Sequence, residues 1–284
     1  MKVILIFALF SLIVIQLNGQ TIIGKIVDSS NAEPLVYASV GIIGTPIGTI
    51  TDENGNFKIN VTGQPLKAIL RVSMISYKPE TFTIEELSHK ENTIKLISAP
   101  TQLAEVLIRP SGKLKEVGSS KTDSKIIGGW SGYQYGEGYE SGLKIKLGTL
   151  PVRLMSLHIH VYKQSFDTSI FRLHVRSMAN KKPSDELLSS NIFIAITKSS
   201  GLVDIDLSEY NLVFKGDIAL MLEWVKVTGV NKDMLWQSKY SKVPVLVVFF
   251  KCSKQGNTYY KWGSENKWQV NKNMSPSIYL TVQE

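Results

Sequence analysis

Phe57, Ile59 and Val61 alternate with Lys58 and Asn60, and the same period of two recurs along most of the chain after Gln20. Val36, Ala38, Val40 and Ile42 keep it, as do Leu66, Ala68, Leu70 and Val72. A strand turns successive side chains to opposite faces, so this pattern describes half-buried β-strands. Turn formers punctuate the series at intervals of roughly 8 to 12 residues, the spacing of sandwiches and barrels. No stretch sustains a helical period, which restricts the chain to an all-β fold. The 284 residues suit two domains of ordinary size. With 43% hydrophobic and 20% charged residues the chain can build packed cores.

The segment GTITDENGNFKINV gathers Asp52, Asn54, Gly55 and Asn56 between two apolar runs. A helix-flanked calcium loop counted from Asp52 needs glycine at its sixth position and an acid at its twelfth. Phe57 and Gly63 stand there instead. The segment therefore reads as a hairpin turn, in which Asp and Asn bond nearby backbone and Gly55 takes positive φ.

GKIVD, AEPLVYASVGIIGT, GTITDENGNFKINV, LRVSMISYKPETFTI and LAEVLIRP follow one another in an order that resembles the carboxypeptidase regulatory-like domain. The resemblance covers about Thr21 to Ile108. It implies a transthyretin- or prealbumin-like, seven-stranded Greek-key sandwich without catalytic residues, of a kind that begins exported bacterial envelope proteins. The same module also precedes the plug of outer-membrane receptors. A 22-stranded barrel at about 10 residues per strand would need more chain than follows Ile108. A zinc carboxypeptidase would need two His and a Glu at ligand spacing, and the chain has no H-x-x-E.

Arg109 to Lys125 is polar and aperiodic and reads as a linker. From Ile126 to Glu284 strand patterns resume, including VRLMSLHIHVY, IFRLHVRSM, NIFIAIT, LVDIDL, DIALMLEWVKV and VPVLVVFF. They suit a second antiparallel, jelly-roll-like sandwich, with KKPSDELLSSN as a short loop helix. This part resembles an uncharacterised region that follows the regulatory module in other exported proteins.

Residues 1–19 read as a signal peptide: Lys2, an apolar run from Val3 to Ile15, and the small Gly19, with the mature chain starting at Gln20. The run is shorter than the roughly 20 residues of a spanning helix, and no later segment is longer, so no transmembrane segment is expected in the mature chain. The expected location is periplasm, outer-membrane surface or outside the cell. The formal charge of +8 is scattered without a Lys/Arg run, and export further disfavours nucleic acid as a partner. The single cysteine, Cys252 in VVFFKCSK, reads as a small packed residue.

Strand alternation puts His158, His160 and Tyr162 on one face of LHIHVY, and Arg172, His174 and Arg176 on one face of FRLHVRSM. A hairpin centred on Asp167 would set His160 opposite His174 and gather all six. Two arginines disfavour a metal there. The cluster reads either as a platform for an anion or sugar, or as a polar face covered by another element. Asp204 and Asp206 share a face of LVDIDL and could supply hydrolase acids. Trp130, Tyr133, Tyr135 and Tyr139, in a glycine-rich stretch, and Trp236, Trp262 and Trp268 offer ring surfaces. With no G-x-S-x-G, phosphate loop or dinucleotide motif, the expectation is a non-catalytic exported binding or scaffold protein of the bacterial cell envelope. No cofactor or metal is expected, and its partner would be an envelope protein or glycan. The alternative is a polysaccharide-directed hydrolase.

Overall fold

The computed structural model describes residues 20–88, 91–100, 112–131, 138–236 and 247–284. The expected signal peptide, the whole of LAEVLIRP, and Tyr133 and Tyr135 lie outside the described residues. The chain is all-β, in two units.

The first unit runs through β1 (Thr21–Asp28), β2 (Ser39–Ile42), β3 (Gly48–Ile50), β4 (Asn56–Asn60), β5 (Ile69–Ser73), β6 (Glu80–Thr83), a one-turn helix α1 (Ile84–Leu87) and β7 (Asn92–Leu96). A three-stranded sheet, β4-β1-β7, faces a four-stranded sheet, β3-β2-β5-β6. The seven expected strands are present, and β1 pairs with β7 in parallel. Phe57 and Ile59 of β4 point inward with Ile22, Ile26, Val40, Leu70 and Val72. Helix α1 was not expected from the strand pattern of ETFTI. Thr83 and Glu86 form a capping box, each side chain taking the other's backbone N–H.

The second unit contains β8 (Leu114–Gly118), β9 (Asp123–Ser131), β10 (Glu140–Lys146), β11 (Val152–Gln164), β12 (Phe166–Ala179), β13 (Lys182–Glu186), β14 (Ile192–Ile196), β15 (Gly201–Asp206), β16 (Val213–Phe214), β17 (Asp217–Val230), β18 (Val247–Ser253), β19 (Thr258–Lys261), β20 (Gln269–Asn271), β21 (Ser275–Pro276) and β22 (Ile278–Gln283). One sheet has the order β13-β12-β17-β10-β19-β20, with β14 also on β12. The other has the order β21-β18-β11-β22-β8, with β15 and β16 on β11 and β9 on β18. Leu157, Ile159, Phe171, Leu173, Leu220, Leu222, Ile278 and Leu280 fill the space between the sheets.

Two expectations change. The linker reading of 109–125 fails from Leu114 onward: β8 pairs with β22, and β9 starts at Asp123 and pairs with β18. Strand β8 lies at a sheet edge and only Val117 is part-buried, so it carries little apolar signal. KPSDE forms β13 against β12 rather than a loop helix, with Ser177 Oγ taking the Asp185 N–H at 3.1 Å. Cys252 is free and buried, and burial pushes its thiol up to about 12.

The Asp52 turn is closed by its own side chain. Asp52 Oδ1 accepts from the N–H groups of Asn54 at 2.9 Å and Asn56 at 2.8 Å. Gly55 has φ +76, and a Cβ there would stand 2.7 Å from the Ile26 carbonyl oxygen. Gly55→Ala should therefore lower stability by about 1–3 kcal/mol, and Asp52→Ala by less. In calorimetry, added calcium should leave the melting temperature of wild type unchanged, and that of Asp52→Ala likewise. A calcium-dependent rise abolished in Asp52→Ala would contradict the turn assignment.

Candidate functional site: a charged cleft between the two units

Strand β17 is buried on both faces from Ile218 to Val225, and β12 from Phe171 to Val175. One face of these strands meets the second unit's own core. The other is covered by the first unit at Glu223 and Arg172, and by Trp268 and Val270 of the second unit along Ala219 and Met221, so its polar residues are largely desolvated. Arg172, His174 and Glu223 are 1%, 5% and 2% exposed, and Glu140 of β10 is 2% exposed.

Buried charge is tolerated when it is paired and hydrogen-bonded. Arg176 clasps Glu140 with two bonds, Nε–Oε1 at 2.7 Å and Nη2–Oε2 at 3.1 Å. Lys261 of β19 adds a third contact to Glu140 at 3.1 Å. Arg172 meets Glu223 at 3.2 Å. His174 lies between two carboxylates, Nδ1 to Glu186 of β13 at 2.6 Å and Nε2 to Glu223 at 3.0 Å.

The first unit completes the network. Arg172 donates to the Tyr37 carbonyl. Ser39 Oγ donates to Glu223 at 3.2 Å. Arg71 and Ser73 of β5 hold Glu265, in the β19–β20 loop, at 3.1 Å each. Ser76 Oγ donates to the Ser189 carbonyl, and Ile75 joins the second unit's core. Glu53 pairs with Lys226, and the Tyr37 ring meets Phe193 edge-on at 5.4 Å. Between these contacts lies a cavity of about 470 Å³, walled by both units, with Trp268 and Tyr77 in its lining. The Lys261 ammonium sits 4.8 Å from the Trp268 ring centre.

Burial raises the carboxyls of Glu140 and Glu223, but neighbouring cations outweigh it. Arg176 and Lys261 hold Glu140 below the usual carboxylate range, and Arg172 and His174 do the same for Glu223. Glu186 is also lowered, by His174 against its burial. Burial disfavours the His174 cation, yet Glu140 and Glu186 raise it overall. Among the described residues no group of three or more His, Cys, Asp or Glu is arranged to hold a metal.

The six residues expected on one face divide three and three. The chain bends at Ser165 between β11 and β12, and the two strands enter different sheets, so no hairpin centred on Asp167 forms. Gln164 fixes the crossing: its Nε2 donates to the carbonyls of Ile196 and Lys198, and its Oε1 accepts from Ser169. Arg172, His174 and Arg176 do share a face, and it is the cleft wall. His158, His160 and Tyr162 lie half-buried on the other sheet, where His160 stands opposite Leu202 rather than His174.

His158 bonds Asp204 through Nδ1 at 2.6 Å and Thr281 through Nε2 at 2.8 Å, and stacks on Tyr279 at 4.4 Å. This carboxylate–imidazole–hydroxyl chain has the connectivity of a nucleophile relay. However, β11 pairs with β15 and β22 on either side there, so its N–H groups are taken up by the ladders rather than free for an oxyanion. Burial and Lys251 lower His160. Tyr162 contacts Trp236 at 6.0 Å. Asp206 accepts from the Ser208 N–H at 2.8 Å. Tyr139 is buried against Trp262 at 4.3 Å.

The residues missed by sequence reading are Glu140, Glu186, Glu223, Lys261 and Glu265. Glu223 left a trace, as a lone acid inside the apolar run DIALMLEWV.

Removing one partner of a buried pair strands the other. Glu223→Gln should cost about 3–5 kcal/mol at pH 7. A depressed carboxyl stabilises above its unfolded value of about 4.3 and loses that contribution as pH falls through its folded value. The deficit of Glu223→Gln should therefore close only below about pH 4. His174 is raised, so its contribution is complete below about 6.5 and fades as pH climbs through the folded value. The gap in melting temperature between wild type and His174→Gln should narrow above about pH 6.5. A gap that widens there would show that His174 is neutral in the fold.

Residues 22–108 match the model of the CarboxypepD_reg-like domain. No curated protein matches the chain. Among solved structures, the cysteine protease and lectin-like domains of Cwp84, a surface layer associated protein of Clostridium difficile, are 10% identical over 93% of this chain, with a TM-score of 0.37. The infectious bursal disease virus VP2 subviral particle is 8% identical over 93% of this chain, with a TM-score of 0.20. The chain spans 58% and 60% of those two chains. The first unit is therefore a CarboxypepD_reg-like domain, joined here to a second all-β unit.

Proposed function

We propose that this is a non-catalytic binding protein of the bacterial cell envelope, exported by its N-terminal leader, with the interdomain cleft as its ligand site. The observation that carries this reading is a ligand-sized cavity, about 470 Å³, whose walls come from both units. Sites of about 300–1,000 Å³ at domain junctions are the usual seats of small ligands. Its side chains are held by multiple bonds before any ligand arrives, which lowers the ordering cost of binding.

The cleft's electrostatics favour binding over hydrolysis. A glycosidase needs one carboxyl raised enough to donate a proton. Glu140, Glu186 and Glu223 are all held below the usual range. The acids behind the hydrolase alternative are engaged elsewhere: Asp204 with His158, and Asp206, lowered, with Ser208.

The reading is tested by passing soluble glycans and peptidoglycan fragments of an envelope preparation over the immobilised chain from Gln20. Retained species should elute with unchanged mass, and Asn266→Trp, which places a bulky ring in the cleft wall, should abolish retention. Release of shortened products, lost in Asp204→Asn, would favour the hydrolase. Retention indifferent to Asn266→Trp would remove the cleft from the proposal.

A further inference from the structure

The second unit carries a cavity of its own, of about 460 Å³, lined by strands of both its sheets. One wall is the connection from β8 to β9, residues 119–122, and another is the β18–β19 loop, residues 254–257. Bonds within the unit fix both. Ser119 donates its N–H to the Ile278 carbonyl at 3.0 Å, and Ser277 Oγ donates to the Ser120 carbonyl at 3.4 Å. Ser253 Oγ donates to the Gln255 carbonyl at 2.9 Å, and Thr258 Oγ1 to the Met274 carbonyl at 2.8 Å. Gly256, at φ +103, lies against Ser275 of β21: a Cβ there would stand 2.8 Å from Ser275 Cβ and 3.3 Å from its Oγ.

The charge of this cavity has one sign. Lys121 and Lys144 line it, and among its described lining residues there is no Asp or Glu. Lys121 is exposed and has no ion-pair partner among the described residues. Lys144 meets Asp217 at 3.0 Å, and their side chains are 33% and 47% exposed. Such an open pair contributes little, so Lys144 can exchange it for a ligand anion, unlike the buried pairs of the cleft. Ser275 is 4% exposed, and its hydroxyl makes no hydrogen bond among the described residues. It is not sealed away. The side-chain atoms buried without partners belong to Arg153, Arg172, Asn191 and Ser264, so Ser275 Oγ keeps surface in the cavity it lines. A nearly buried hydroxyl with no partner is uncommon in a folded protein. Ser119 and Ser120 have free hydroxyls in the same lining.

This donor set discriminates among anions. A carboxylate is met best by the two-pronged fork of Arg, and no Arg stands among the described lining residues. A phosphate monoester carries close to two charges at neutral pH on three oxygens, which ammonium groups and hydroxyls can approach from several sides. The volume exceeds what a bare phosphate fills, and the Gln255 and Asn257 amides remain for hydroxyls of an attached body. We propose that this cavity is a second ligand site, separate from the interdomain cleft, for the phosphate monoester of a small polar molecule. Lys121 and Lys144 hold the charge, and Ser275 Oγ donates to a phosphoryl oxygen.

The test is titration calorimetry on the chain from Gln20 with glucose 6-phosphate, glucose and inorganic phosphate. A second arm is flotation with phosphatidylcholine vesicles, with and without phosphatidic acid, whose headgroup is also a phosphate monoester. Glucose 6-phosphate should bind at least about tenfold more tightly than glucose, with a Kd that rises from low to high salt. Lys121→Ala and Ser275→Ala should each weaken it about five- to tenfold. Neither should lower the melting temperature by more than a few degrees, because neither side chain has a partner to lose. Asn266→Trp, in the interdomain cleft, should leave the Kd unchanged. Flotation that needs phosphatidic acid, and is lost when Lys121→Ala and Lys144→Ala are combined, would place the ester on a lipid. Binding of the soluble ester alone would place it on a free molecule. Inorganic phosphate bound as tightly as the ester would overturn the attached body. Ester binding that survives Lys121→Ala and Ser275→Ala, or is lost in Asn266→Trp, would overturn the site. So would a failure of glucose 6-phosphate, inorganic phosphate and the phosphatidic acid vesicles all to bind.

Discussion

The arrangement of the two units depends on one constraint: Arg172, His174, Glu140 and Glu223, buried, and Arg176, part-buried, lie on the outer face of a central sheet. None tolerates that burial alone. Such pairs add little net stability over apolar packing, but breaking one is expensive, so they act chiefly as registers. The register here reaches beyond the second unit. Arg172 takes an acceptor from Tyr37, and Glu223 takes a donor from Ser39. If the first unit shifted along this face by one residue, both would lose those partners. The β-sandwich of the first unit thus completes the second unit's polar network, and the position of one on the other is specified by hydrogen bonds.

The same constraint explains the cleft. Apolar faces can close until no gap remains, as between Leu157, Phe171 and Leu280 in the second unit's core. Charged groups with fixed pairing geometry cannot interdigitate that way. The units touch where they can make bonds, at Glu53–Lys226, Arg71–Glu265 and Ser76–Ser189. Ile75 and the Tyr37–Phe193 ring pair supply apolar anchors. The space enclosed by these contacts remains open.

Much of the fold was legible, because alternation is a local property. Phe57 and Ile59, or Ile192, Ile194 and Ile196, point inward as their period requires. Alternation also put Arg172, His174 and Arg176 together correctly. It could not show what covers them, because Tyr37 and Ser39 are more than 130 residues away in sequence. The supposed hairpin failed for a related reason. Polar KQSFD looks like a turn, but buried Gln164 and Ser165 bend the chain from one sheet into the other. Edge strand β8 resembled a linker because its side chains are mostly exposed. Glu140 and Glu265 left no local trace at all, since their roles are set by partners on other strands.

Backbone conformation shows where the first unit commits itself to this interface. Non-glycine residues with positive φ are uncommon, and for a bulky side chain such a conformation is a true outlier. Tyr37, at φ 60, and Ser76, at φ 69, are two of the few described here. Both touch the second unit: the Tyr37 carbonyl accepts from Arg172, and the Ser76 hydroxyl donates to the Ser189 carbonyl. Left-handed backbone costs about 1–2 kcal/mol per residue and persists where surrounding contacts over-determine it. Within the first unit the Tyr37 N–H is tied to the Thr51 carbonyl at 3.2 Å and its hydroxyl to Glu53 at 3.3 Å. Glu53 is itself the partner of Lys226. The strained turn, its brace and the cross-unit ion pair therefore form one linked set. They aim a backbone carbonyl at Arg172, the same guanidinium whose buried Nε has no hydrogen-bond partner among the described residues.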